Sequence, residues 1–326
     1  MSTVQTVRGP IDEADLGQVL MHEHVFVLSP EFVANYPEHE GFREEEQVPE
    51  AVRRLRELAA EGVRTIVDPT VIGLGRYIPR IQRVAAEVDL NIVVATGLYT
   101  YHDVPHYLHF RGPGTLLDGP EPLVEMFVND ITEGIAGTGV RAGVLKCATD
   151  EPGITPGVER VLRAVAQAHR QTGVPIVTHT HAPSGRGLEQ QDVFAAEGVD
   201  LSRVVIGHSG DTTDLDYLTK IADRGSYLGM DRFGIDILLP FEERVATVAA
   251  LCERGYAEKM VLSHDASCYI DWLPMKDVPA ILPNWHYLHI TRDVLPALRE
   301  RGVTEDQIRQ MLVDNPRRIL AHGGGY

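Results

Sequence analysis

Short apolar runs recur along the chain, and each is followed by a stretch in which apolar residues return every three or four positions. The runs are Gln18 to Val27, Val63 to Thr70, Asn91 to Tyr99, Ala142 to Thr149, Pro175 to His181, Arg203 to Gly210, Ser226 to Gly234 and Lys259 to Ala266. Bounded by turn residues, runs this short predict eight buried strands. Between them Val52, Leu55 and Ala59 recur at helical spacing and predict a helix over Pro49 to Glu61, with Gly62 as its stop. Gly157 to Thr172 repeats the arrangement, with Val161, Val165 and Ala168 inward and Gly173 following. Thr304 and Gln307 have capping-box spacing ahead of Ile308, Met311 and Leu312.

Eight strands alternating with helices predict an α/β protein, a single (β/α)8 TIM barrel over residues 1–326 whose site sits at the C-terminal strand ends. A doubly wound open sheet is the rival architecture. Against it, no Gly-x-Gly-x-x-Gly follows an early strand, and polar residues gather at the ends of many strands instead of one crevice. No repeat, low-complexity tract or linker divides the chain.

Three segments after strands are long: Ser29 to Glu46, Thr100 to Gly119 and Ser267 to His289. The last two carry Tyr101, His102, His106, Tyr107 and Phe110, then Tyr269, Ile270, Trp272, Leu273, Ile281 and Trp285. That composition disfavours disorder, and these segments read as lids lining an apolar pocket, with packing on the barrel rim or at a dimer contact as the competing reading.

Charge narrows the partners. Thirty basic against 47 acidic residues give a formal charge of −17, which repels nucleic acid and anionic membrane surfaces. No apolar run is long enough to span a bilayer, and the first fifteen residues lack a signal-peptide core. Cys147, Cys252 and Cys268 lie far apart and form no Cys-x-x-Cys pair, which points to free thiols in the cytoplasm and away from a disulfide scaffold or zinc-thiolate site.

Ionisable residues fall at the predicted strand ends: His22 and His24 on the first, Lys146 on the fourth, His179 on the fifth, His208 on the sixth and Asp265 on the eighth. As alternate residues of a strand, His22 and His24 project to one side. Lys146 shares a face with Val144 and Ala148, so its ammonium would point into the barrel at a cost unless it is paired or shifted. Capture of carbon dioxide as a carbamate removes that cost and makes an anionic two-oxygen ligand. Four imidazoles, one carboxylate and the carbamate can hold two divalent ions, of which zinc is expected first and cobalt, manganese or iron also suit the donors. Each residue alone could be structural; all six at one barrel mouth point to a site.

The ligand set, together with Lys146–Gly153 (KCATDEPG), Gly207–Thr212 (GHSGDT), Gly229–Gly234 (GMDRFG) and Ser263–Asp265 (SHD), resembles the phosphotriesterase family of the amidohydrolase superfamily, its phosphotriesterase-like lactonases in particular. The resemblance spans essentially the whole chain. It implies that His22, His24 and Asp265 hold the more buried metal and His179 and His208 the more exposed one, with carbamylated Lys146 bridging. His181, on the same strand face as His179, is then a supporting or packing residue. Tyr99 and Arg232 match residues beside the metals, and Trp272 a position near the pocket mouth.

In such a site two cations make hydroxide available near neutral pH, and Asp265 is placed to pass its proton to the leaving alkoxide. The implied activity is a quorum-quenching lactonase opening N-acyl-homoserine lactones, with promiscuous organophosphate triesterase activity. The alternatives are an organophosphate or carboxyl ester hydrolase without lactone preference and a non-catalytic binder of lipophilic ligands. A homodimer is compatible with apolar loops, although no interface pattern is legible.

Overall fold

The computed structural model describes residues 2–37, 41–321 and 323–326. An N-terminal hairpin, β1 (Thr3–Thr6) with β2 (Gly9–Asp12), packs under the barrel floor, where Val7 N–H donates to Ile92 O at 2.9 Å. The barrel strands follow: β3 (Gln18–Leu20), β4 (His24–Val27), β5 (Val63–Asp68), β6 (Asn91–Gly97), β7 (Val144–Thr149), β8 (Ile176–Thr180), β9 (Val204–Ile206), β10 (Tyr227–Met230) and β11 (Met260–Leu262). β12 (Ser267–Ile270) comes next. Eight of these form one parallel sheet in the order β3-β5-β6-β7-β8-β9-β10-β11, with helices between them. This is the (β/α)8 barrel expected from the alternating pattern. β7, β8 and β10 are buried along their whole length, as strands covered on both faces must be.

All eight predicted runs contain a strand, with two revisions that matter for the site. The first run is not continuous: Met21, His22 and Glu23 break it, because β3 pairs with β5 whereas β4 pairs with β12. The last run ends at Leu262, so Ser263 to Ala266 is irregular and not strand. These two breaks meet and close the barrel. Asp265 N–H donates to His22 O at 3.1 Å, and His24 N–H donates to Ala266 O at 2.8 Å.

The helix predicted over Pro49 to Glu61 spans Glu44–Ala60. Three glutamates in its first turn favour the earlier start through the helix dipole, and Pro49 is accommodated inside at the loss of one backbone bond. The Pro156–Thr172 helix ends at Gly173 in a left-handed conformation, and Thr304 forms the expected capping box with Gln307. The long segment from Ser29 to Glu46 carries a short helix, Pro30–Asn35, and its residues 38–40 lie outside the described residues.

Candidate metal centre

Where the strands end, the predicted residues converge. His22 Nε2 and His24 Nε2 stand 3.5 and 3.3 Å from Asp265 Oδ1, and His208 Nε2 stands 3.8 Å from Asp265 Oδ2. Lys146 Nζ is 3.0 Å from His22 Nε2. The His179 ring packs on the His208 ring at 4.6 Å between centroids. All six candidates thus lie around one point, and five of the side chains are buried while Asp265 is slightly open to the cavity above. His181 does not join them: its Nδ1 pairs with Ser184 Oγ at 2.7 Å, away from the cavity lining.

The imidazoles are aimed by partners behind them. Asp231 Oδ2 lies 3.2 Å from His22 Nδ1, and Oδ1 lies 2.9 Å from His208 Nδ1 and accepts His208 N–H at 2.8 Å. Where Asp231 is ionised it accepts from both rings, which puts their protons on Nδ1 and turns a bare Nε2 inward. His24 Nδ1 meets Thr70 Oγ1 at 2.7 Å, and Thr70 donates to Asp68 at 2.5 Å. His179 is turned the other way, with Nε2 2.5 Å from Asp150 Oδ2 and Nδ1 3.4 Å from the Tyr99 hydroxyl.

Glu23, between the two leading histidines, is fully buried and faces the opposite side. Its carboxylate accepts His264 N–H at 2.9 Å, the His264 ring N–H at 2.6 Å and Ala266 N–H at 3.0 Å. The residue between those two amides is Asp265, held with φ 54°, and His208 also has a positive φ of 59°. Such strain in non-glycine residues persists only where surroundings over-determine it, and Glu23 does so for Asp265.

The sequence reading missed Asp231, Asp150 and Glu23. Glu23 and Asp231 are each sequence neighbours of predicted site residues, and Asp150 lies within the KCATDEPG stretch. That adjacency was the available signal, but which carboxylate backs which ring depends on tertiary placement.

Burial lowers His22 and His208 well below the ordinary imidazole pKa, helped by Lys146 for the first and Arg232 for the second. Burial takes His179 down to about 4. For His24, burial is outweighed by the Asp265 and Asp68 carboxylates, which raise it. Burial opposes ionisation of Asp265, yet His22, His24 and Arg232 hold it well below the carboxylate range. Burial and the nearby Asp265 charge push Asp231 well up.

Neutral imidazoles beside crowded carboxylates suit divalent cations, which would supply the missing positive charge. The donor set fits: His22, His24 and Asp265 present ligand atoms within 4.8 Å of one another, as do His22, His208 and Asp231. In the second group, however, Asp231 engages the Nδ1 atoms of both rings from behind, which makes it an orienting group.

Arg232 sits at the rim, donating from Nε to Asp265 Oδ2 at 2.9 Å and from Nη1 to Asp211 Oδ2 at 3.0 Å. Tyr99 is bonded hydroxyl to hydroxyl with Tyr101, whose ring lies 5.2 Å from that of His179. Above them is a cavity of ≈ 250 Å³. Its wall comes from Ile270, Trp272, Leu273, Leu282 and Trp285 of the last long loop, as expected, and from Ile235, Ile237 and Leu238 after β10, which were not expected. The Thr100 to Gly119 segment contributes no lid to this cavity beyond the adjoining Tyr99; its Tyr107, Phe110, Leu116 and Leu117 are exposed.

A family model, the phosphotriesterase family, matches residues 2–320. A phosphotriesterase homology protein of Mycobacterium tuberculosis is 66% identical over 326 residues, covering 100% of both chains. An aryldialkylphosphatase of Saccharolobus solfataricus is 41% identical over 313 residues, covering 95% of this chain and 97% of that one. The solved structure described as the phosphotriesterase from Mycobacterium tuberculosis superposes with a TM-score of 0.98 at 66% identity, covering 99% of this chain and 100% of that one. Matches of this extent, on a barrel whose mouth gathers this donor set, mean that the chain belongs to the phosphotriesterase family and is a metal-dependent hydrolase.

Proposed function

We propose that this hydrolase is a binuclear lactonase that opens N-acyl-homoserine lactones and turns over organophosphate triesters as a side activity. The observation that carries the reading is the contrast within one cavity: a floor of ionised and metal-binding groups under a wall of Ile235, Ile237, Leu238, Trp272 and Leu273. That pairing suits a polar ring carrying an aliphatic tail. In this reading His22, His24 and Asp265 would hold one ion and His179 and His208 the other, with Lys146, as a carbamate, a ligand available to both.

Burial lowers the Lys146 ammonium to about 8, which leaves a substantial fraction as free amine at mildly alkaline pH. The amine nitrogen adds to carbon dioxide and releases one proton, giving the anionic ligand. When bound, two divalent ions, zinc foremost, supply a water of lowered pKa and a Lewis acid for the scissile carbonyl or phosphoryl oxygen.

The chain's own residues do the rest. Asp265, kept ionised by its histidines and Arg232, accepts the proton of the attacking water and returns it to the ring oxygen as the C–O bond breaks. The Tyr99 hydroxyl, beside His179, borders the space for the reacting group. Arg232 tethers Asp265 to Asp211 and fixes the carboxylate's direction. Trp272, half exposed at the mouth with its ring 6.3 Å from that of Tyr99 and tilted by 36°, covers the tail's exit.

We place the protein in the cytoplasm on the strength of three buried, unpaired cysteines, and no helix among the described residues is long and apolar enough to cross a membrane. The test is the ratio of kcat/KM for an acyl-homoserine lactone and for an aryl dialkyl phosphate, measured on one preparation. The lactone should be preferred by at least about tenfold, a margin of about 1.4 kcal/mol in transition-state binding; preference for the triester would favour the ester hydrolase reading.

A further inference from the structure

Four imidazoles face the centre, but they are not presented alike. His22 and His208 lean their Nδ1 atoms on Asp231, and His24 leans its Nδ1 on Thr70, so these three turn Nε2 inward. His179 leans its Nε2 on Asp150, so Nδ1 is the inward atom. We propose that Asp150 is a positioning residue that fixes this inverted presentation of His179 through the carboxylate–imidazole hydrogen bond. The proposal rests on the reading above, in which His179 and His208 hold one of the two ions.

Packing alone cannot make the choice. An imidazole and its 180° flip have nearly the same shape and differ in where their nitrogens lie. Tyr101 lies against one side of the ring at an interplanar angle of 31°, and Tyr99 meets it at 82°. Both contacts confine the ring plane, and the Tyr99 hydroxyl, 3.4 Å from Nδ1, can donate or accept and so does not place the ring proton. The hydrogen bond to Asp150 does, because an ionised carboxylate only accepts. It puts the ring proton on Nε2 and leaves the lone pair on Nδ1.

Asp150 is itself fixed. It follows β7 directly, its Oδ1 accepts Glu151 N–H at 2.7 Å, and its carbonyl accepts Gly153 N–H at 2.8 Å. The His179 backbone is held separately, through the β7–β8 ladder and by Gln190 Nε2, which donates to His179 O at 2.9 Å. Removing the Asp150 carboxylate therefore frees the ring without moving the strand that carries it.

The experiment uses protein labelled with nitrogen-15 at histidine, with His179 assigned from a His179→Gln variant, and reads ring tautomers from long-range proton–nitrogen correlations. Cobalt(II) titration of chelator-stripped protein is run alongside. Wild-type His179 should carry its proton on Nε2 while His22, His24 and His208 carry theirs on Nδ1. In Asp150→Ala the His179 tautomer should become mixed, and the second cobalt equivalent should bind about 10- to 100-fold more weakly with the first unchanged. A wild-type His179 protonated on Nδ1 would overturn the proposal, even if the variant failed to fold. Unchanged binding of both equivalents by Asp150→Ala would overturn it as well. Fewer than two equivalents bound by the wild type would count against the binuclear reading, and the tautomer in the same sample would still decide the part played by Asp150.

Discussion

At the scale of single residues, the site is built as much by acceptors behind the rings as by the rings themselves. Asp231 serves His22 and His208 at once, and these belong to different ions in the proposed assignment. Asp231→Ala should therefore weaken both ions together by about 10- to 100-fold, whereas losing a partner of one ring should weaken only one; competition with a chelator measures this. Asp265→Asn should keep most of the metal and lose turnover by at least about a hundredfold, the usual scale of a positioned proton acceptor. An unchanged rate would remove Asp265 from proton transfer. The candidate ligands were legible because polar residues at the ends of apolar runs stand out. Asp231, Asp150 and Glu23 did not stand out, since a carboxylate on a strand end looks the same whether it meets solvent or a buried imidazole.

Among the elements, the strands were legible and their ends were not. Run length and alternation reveal a buried strand, but the break at Met21 to Glu23 arises because β3 and β4 take different partners, which is a property of the closed barrel. It does not spoil the pairing of His22 and His24, because Asp265 and Glu23 lock both sides of the break. Close strand approach sets another limit. A Cβ on Gly97, at the end of β6, would lie 1.9 Å from Lys146 O on β7. Gly97→Ala should push Lys146 out of place, costing about 1 to 3 kcal/mol as overpacking does. The melting temperature and the metal content should fall together. By contrast, Thr304→Ala removes a cap far from the mouth and should cost about 1 kcal/mol without touching metal content.

For the whole molecule, burial that shapes the site also shapes stability at alkaline pH. Burial raises the thiols of Cys147 and Cys268 to about 12 and that of Cys252 to about 11, from an ordinary value of 9.0. A group with a raised folded pKa contributes stability that is fully present below its unfolded pKa and is lost as pH rises through the folded one. Each thiol then withdraws about 1.4 kcal/mol per pH unit above 9. Lys146, lowered from 10.5 to about 8, has the opposite sign where it remains an amine, one group against three. Urea unfolding should show a plateau up to about pH 8.5 and a steep loss between pH 9.5 and 11; a flat profile would contradict it.

The central claim is that this barrel mouth holds two divalent ions that its hydrolase activity needs. Metal content of the purified protein by plasma emission spectrometry, paired with hydrolysis of a long-chain acyl-homoserine lactone before and after chelation, tests that claim most directly. Two equivalents per chain are predicted, with hydrolysis lost on chelation and restored by added metal. Metal-free protein that hydrolyses the lactone, or hydrolysis that survives chelation, would contradict it.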